Sequence, residues 1–301
     1  MKIAITGATG FVGKHLVNYL LDQGHDIVVI GRNIEKLNEC YKNNVDKFKT
    51  DYSFESLVKG IKKVDAIVHL AAKRLSRDTD PFRLNPFIDS NILATENLLL
   101  AAKENNISKI CQASTIGVYS EHNSVPFKED EFPSPNNFYG VSKLTCEQIA
   151  NMFSLKTDVK TTNLRLAYLF GHGEREDLVF MKYLALAKKK LTLRVWGSGK
   201  TSVDYIYVKD VESAIDKAIQ PEAPYGTYNI GSGRSYSMLE IAKAINEVFD
   251  NNDNIQLDDS KKERGGNIFM DCSKAKEFLN WEPEFNLYQA LKNIKDNEYA
   301  K

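Results

Sequence analysis

Thr6-Gly7-Ala8-Thr9-Gly10-Phe11-Val12-Gly13 is the stretch on which the fold turns. An apolar run over residues 2–6 precedes it. A segment over residues 15–23, with apolar residues at 16, 17, 20 and 21, follows at helical spacing. Three glycines therefore stand where a strand hands over to a helix. Glycine is required where backbone takes positive φ or approaches a ligand closely. A glycine turn feeding a helix start presents free N–H groups to a pyrophosphate. The G-x-x-G-x-x-G spacing differs from the G-x-G-x-x-G dinucleotide fingerprint, but the mechanics are shared.

Outward from this turn, strand-like and helix-like segments alternate. Further strands are expected over residues 26–30, 46–50, 64–70, 109–113 and 159–170. A long helix is expected over 86–105 and another over 136–152. Short apolar strands separated by helices predict an α/β fold: a doubly wound parallel sheet of Rossmann type. Beyond Gly171 the pattern changes. Helices are expected over 177–190, 210–219, 238–249, 273–279 and 287–294, and strands over 191–196, 202–208 and 226–230. The stretch 250–259 reads as an exposed loop holding at most a pair of strand residues. The predicted organisation is a dinucleotide-binding domain over 1–170, to which 202–225 returns, and a smaller C-terminal substrate-binding lobe over 171–301.

Composition narrows the function. The chain has 301 residues, 43% of them hydrophobic, and its 40 Lys and Arg balance 40 Asp and Glu. A basic excess for nucleic acid or an anionic membrane is missing. No stretch reaches the roughly 18–20 apolar residues of a membrane span. The apolar stretch at the N-terminus is too short for a signal peptide. Cys40, Cys111, Cys146 and Cys272 are widely spaced, and the five histidines include no H-x-x-x-H pair, so no metal is expected. A reducing cytoplasm is the expected compartment. A second phosphate-binding candidate, Gly197-Ser198-Gly199-Lys200-Thr201, fails as a P-loop. Arg194 stands where the first glycine is needed, and a strand-like run follows it instead of a helix.

The second strand ends Ile30-Gly31-Arg32-Asn33. A carboxylate there would hold an adenosine ribose diol; Arg32 instead suits a 2′-phosphate, so the choice between NAD and NADP leans to NADP. Further on, Tyr139-Gly140-Val141-Ser142-Lys143 sets a phenol and an ammonium at i and i+4 on one helix face. The same spacing recurs at Tyr205/Lys209, in an expected strand, and at Tyr288/Lys292, far from the glycine turn. Only Tyr139 follows a fifth parallel strand ending in Ser114-Thr115. A phenol titrates near pH ~10, so using one as a base near neutrality takes about three units. Burial alone shifts it the wrong way; a neighbouring ammonium such as Lys143 favours the phenolate. Thr115 could hydrogen-bond and place the reacting hydroxyl.

With these features, and with His69-Leu70-Ala71-Ala72, Asp204-Tyr205-Ile206-Tyr207-Val208 and Tyr228-Asn229-Ile230-Gly231-Ser232-Gly233, nearly the whole chain resembles the extended short-chain dehydrogenases/reductases of the nucleotide-sugar epimerase/dehydratase type. The resemblance implies that Gly7, Thr9, Gly10, Phe11, Val12 and Gly13 cradle the cofactor pyrophosphate. It places Asp51 and Tyr52 near the adenine, and Leu70, Ala71 and Ala72 along the cofactor. Tyr139 would be the base, Lys143 would bind the nicotinamide ribose, Thr115 would hold the sugar hydroxyl, and Arg264 would contact the nucleotide diphosphate. It also implies a homodimer through the helices over 86–105 and 136–152.

Departures from the family pattern trim the chemistry. Ile116-Gly117 follow Thr115 where the dehydratases place Asp-Glu and the decarboxylases place Glu, which disfavours both reactions. Val203 and Tyr168 replace an Arg and an Asn that contact the diphosphate in many epimerases. The expected reaction is hydride transfer at a secondary carbinol of a nucleotide-linked sugar, foremost C4 epimerisation. A 4-keto reductase using NADPH is the alternative, and a non-catalytic dinucleotide-binding regulator a third reading.

Overall fold

The computed structural model describes residues 1–42, 45–76, 79–251, 254–263 and 266–298. Its centre is a seven-stranded sheet. Strands β1 (Lys2–Thr6), β2 (Asp26–Gly31), β3 (Asp46–Lys49), β4 (Ala66–His69), β5 (Lys109–Thr115) and β6 (Lys160–Leu166) are joined by a seventh, Gly226–Ile230. The spatial order is Gly226–Ile230, β6, β5, β4, β1, β2, β3, and all pairs are parallel. The chain winds outward from β1 to β3, returns to the other side of β1 with β4, and winds out again. This is the doubly wound order, with its switch point between β1 and β4.

β1, β2 and β4 are largely apolar because both faces are covered. Ile3, Ile5, Ile27, Val29, Ala66 and Val68 enter one core with helix α1 (Phe11–Asp22) and the helix Val208–Ile219. Ala4, Val28, Ile30 and Ile67 enter the opposite core with the helices Phe54–Gly60, Ala94–Glu104 and Phe138–Lys156. Each Ile or Val among them contributes on the order of 1.5–3 kcal/mol on full burial. A third core joins the helices Val179–Lys188, Met238–Val248 and Leu287–Glu298 to the strand Leu193–Trp196.

Several boundaries depart from the sequence reading. The strand expected over 159–170 is two, β6 and Tyr168–Phe170, broken where the Ala167 amide bonds the Ile230 carbonyl. The second piece pairs with Tyr205–Tyr207. The stretch 250–259 contains a four-residue strand, Ile255–Asp258, parallel to Leu193–Trp196. The helix expected over 86–105 begins as Asn85–Phe87, widens into a π-helical turn over Ile88–Leu93, and resumes as Ala94–Glu104. Two seven-residue helices, Ile34–Cys40 and Phe54–Gly60, had no counterpart in the sequence reading; the side chains of Asn33 and Ser53 cap them.

Among the described residues no helix is long and apolar enough to cross a membrane, and no group of three or more His, Cys, Asp or Glu could hold a metal ion. The Gly197–Thr201 turn cradles a carboxylate of its own chain. Ser198 Oγ donates to Glu263 Oε1 (2.7 Å), and the Thr201 amide donates to Oε2 (2.9 Å). Led by the Ser198 bond, these interactions hold the Glu263 carboxyl down at about 2.

Candidate active site

A cavity of about 930 Å³ opens along the C-terminal ends of the sheet strands. At its floor, the Gly10 amide bonds the Gly7 carbonyl (2.9 Å), and Gly10 starts α1 with no side-chain cap. The first amides of α1 are therefore not engaged by a capping side chain. Gly7 has φ +70°, and a Cβ there would lie 2.6 Å from the Ala71 nitrogen. Gly13 permits the helix to fold back on the turn, since its Cβ would lie 2.6 Å from Ala8 Cα. The end of β1 thus presses on the residues after β4, and any side chain at these positions would fill the cradle. A pyrophosphate-bearing dinucleotide fits this arrangement.

Gly7, Thr9, Gly10, Phe11, Val12, Gly13, Arg32, Tyr52, Leu70, Ala71, Ala72, Thr115, Tyr139 and Lys143 all line this one cavity. Asp51 does not: its exposed carboxylate accepts from the Ser53 hydroxyl (2.6 Å) and amide (2.9 Å) instead. Arg264 lies outside the described residues. Tyr52 is buried at φ +67°, with the Arg32 guanidinium 5.2 Å from its ring centre. Burial pushes its phenol up to about 12, opposed by the Arg32 charge and by the Gly7 amide.

The reacting end is assembled from two elements. Thr115 closes β5, and its Oγ1 accepts from the Gly117 amide (3.1 Å), which leaves its own O–H to donate elsewhere. Tyr139 and Lys143 lie in the first turns of the helix Phe138–Lys156, whose cap is Asn137; Asn137 Oδ1 accepts from the Gly140 amide (2.9 Å). Lys143 is buried, 3% exposed, in that helix. Tyr139 is half-buried, its ring 6.3 Å from that of Phe87. Beneath them His69 is buried between Thr6 Oγ1 (2.7 Å) and Thr95 Oγ1 (3.2 Å). Burial, then the Lys143 charge, brings its pKa down to about 3, so it is neutral. The π-helical turn puts Asn91 where its Oδ1 accepts from the Lys73 amide (2.7 Å) and its Nδ2 donates to Ser142 Oγ (2.9 Å). That ties the post-β4 segment to the Tyr139 helix.

Sequence reasoning missed several lining residues. Lys36 lies in the first turn of the helix Ile34–Cys40, which the sequence reading did not contain. Lys73, Arg74 and Arg175 come together only through the fold: Arg74 pairs with the buried Glu174 (3.0 Å), and Arg175 Nη1 donates to the Leu75 carbonyl (2.9 Å). With Arg32 and Lys143, six of the described lining residues are cationic, and none of the described lining residues carries a carboxylate. Tyr168, which stands where many epimerases have Asn, lines the cavity beside Tyr205, with ring centres 5.8 Å apart. Val203 does not line it; it sits in a small strand between Tyr236 and Ile268.

Known proteins share this architecture. The protein described as uncharacterized UDP-glucose epimerase YtcB of Bacillus subtilis is 29% identical over 306 residues, covering 97% of this chain and 96% of its own. The structure of UDP-N-acetylglucosamine 4-epimerase from Bacillus cereus superposes with a TM-score of 0.88 at 34% identity, covering 100% of this chain and 97% of that one. UDP-glucuronic acid 4-epimerase from Bacillus cereus, solved with UDP-glucuronic acid and NAD, gives 0.84 at 26% identity and covers 98% of each chain. The family described as NAD dependent epimerase/dehydratase matches residues 3–231, the span that carries the glycine turn, Thr115, Tyr139 and Lys143. On that match, the chain belongs to the NAD dependent epimerase/dehydratase family.

Proposed function

We propose that this enzyme epimerises a UDP-linked sugar at C4. The observation that carries the reading is that Thr115, Tyr139 and Lys143 share one cation-lined cavity with the glycine turn. A bound nicotinamide dinucleotide supplies the acceptor and donor of hydride. Tyr139 takes the proton of the C4 hydroxyl and later returns it. Lys143, one turn along the same helix face, binds the cofactor ribose. The Thr115 O–H, freed by the Gly117 contact, orients the reacting oxygen. Gly7, Thr9, Gly10, Phe11, Val12 and Gly13 hold the pyrophosphate, with Leu70, Ala71, Ala72 and Tyr52 along the dinucleotide. Lys73, Arg74 and Arg175 meet the charge of the sugar nucleotide at the other end, where Val203 and Tyr168 offer no contact of the usual kind. Arg264 is assigned to the nucleotide diphosphate. We assign residues 1–170, with 202–225, to the cofactor, and the remainder of 171–301 to the substrate, in a cytoplasmic homodimer.

The second reading, a 4-keto reductase, is favoured by Arg32, just past the end of β2, and Lys36 of the helix Ile34–Cys40. They suit the 2′-phosphate of NADP, and neither Arg32 nor Asn33 offers a carboxylate for the ribose diol. Mass spectrometry of the purified enzyme under native conditions separates the two. Retained NAD(H) supports the epimerase, which recycles its cofactor. An empty site with preference for added NADPH supports the reductase.

A further inference from the structure

The face that carries Tyr139 and Lys143 continues, at the same spacing, to Glu147. This carboxylate is 1% exposed, and Arg165 of β6, which grips it, is 4% exposed. Arg165 Nη2 donates to Glu147 Oε2 (2.7 Å), and Nε reaches Oε1 and Oε2 at 3.1 and 3.2 Å. Two bonds leave the pair. The Ser114 hydroxyl donates to Glu147 Oε1, and Arg165 Nη1 donates to the Tyr119 hydroxyl (2.7 Å). The Tyr119 hydroxyl in turn donates to Asn229 Oδ1 (2.9 Å). Burial pushes the Tyr119 phenol up to about 12 against the pull of Arg165, so it remains a donor at neutral pH.

Ser114 and Tyr119 bracket Thr115 and the 3₁₀ turn Ile116–Val118. The strand end that bears Thr115 is therefore held on both sides by an ion pair rooted in the helix that bears Tyr139. Stability is a poor explanation for such a pair, because well-packed apolar residues usually replace a buried salt bridge at no loss. Direct contact with a ligand is also a poor one, since Glu147, Arg165 and Tyr119 are not among the residues that line the cavity.

We propose that Glu147 and Arg165 are positioning residues that set Thr115 in register with Tyr139. The inference rests on the catalytic reading of those two residues given above. The reacting hydroxyl must meet both at once, and they belong to separate elements. A displacement of about 1 Å between them is enough to cost on the order of 10²-fold in rate.

The test measures kcat and KM with UDP-N-acetylglucosamine in cofactor-saturated enzyme, alongside urea midpoints. The variants are Tyr119→Phe, the double Glu147→Leu/Arg165→Met, and Tyr139→Phe as reference. The double variant leaves no unpaired buried charge, so it keeps its fold. The expected result is wild-type or higher stability with unchanged KM, and kcat lowered by about 10- to 100-fold. Tyr119→Phe, which cuts one link only, shows the same split with a smaller loss. Full kcat in the double variant beside an inactive Tyr139→Phe overturns the positioning role alone. Full kcat in Tyr139→Phe overturns the catalytic reading itself, and the positioning role falls with it.

Discussion

His69 is buried beside the site and carries no charge. Its imidazole is buried between two threonine hydroxyls and near Lys143, and it stays neutral down to a pKa of about 3. In the unfolded chain an imidazole titrates near ~6.5. Between those values the unfolded state binds a proton that the folded state does not. The contribution to stability is therefore complete above pH ~6.5 and is lost progressively as pH falls toward 3, at up to ~1.4 kcal/mol per pH unit. Urea denaturation from pH 7 to 5 should show a shallower loss of stability in His69→Gln than in the wild type. Equal slopes would rule out this role for His69. The residue is legible in the sequence only as one that closes a strand. Its neutrality comes from burial and from the charge of Lys143, which no local pattern connects to it.

Elements divide into those that periodicity reveals and those that tertiary contacts impose. β1, β2 and β4 were readable because both of their faces are buried, which makes the runs apolar without interruption. The strand Ile255–Asp258 was not, since its Gln256 and Leu257 face solvent and the alternation fails. Nor was the π-helical turn Ile88–Leu93, whose register is held by the bonds of Asn91 to Lys73 and Ser142. The helix Phe138–Lys156 was readable, but its closeness to the Thr115 turn was not. Gly140 makes that closeness possible: a Cβ there would strike the Gly117 carbonyl and lie 2.9 Å from Pro135 Cβ. Gly140→Ala should destabilise the protein by roughly 1–3 kcal/mol through overpacking and depress turnover with it. Urea denaturation and initial rates check this. An unchanged midpoint would mean that the helix and turn can part without cost.

At the scale of the molecule, the even balance of 40 against 40 charges conceals a local imbalance. Among the described residues six cations and no carboxylate line one cavity, Arg74 being paired with Glu174 behind it, so anionic ligands are attracted without a basic surface. The sequence had exposed Tyr139, Lys143 and the glycine turn through spacing. Arg74 and Arg175, a hundred positions apart in the chain, met only through the fold. The outer faces of the paired helices leave Leu93, Leu100, Met152 and Leu155 exposed, the last at 80%. For the proposed homodimer these residues form the contact. Light scattering should give twice the chain mass, and Leu155→Glu should shift it toward the monomer; a monomeric wild type would contradict the assignment.

The central claim is that Tyr139 carries proton transfer for C4 epimerisation of a UDP-sugar. Its most direct test follows UDP-N-acetylglucosamine by proton NMR in the presence of wild-type enzyme or Tyr139→Phe. The wild type should give a mixture of the substrate and its C4 epimer, and Tyr139→Phe should slow its formation on the order of 10²-fold or more. Epimer forming as fast with Tyr139→Phe as with the wild type would contradict it.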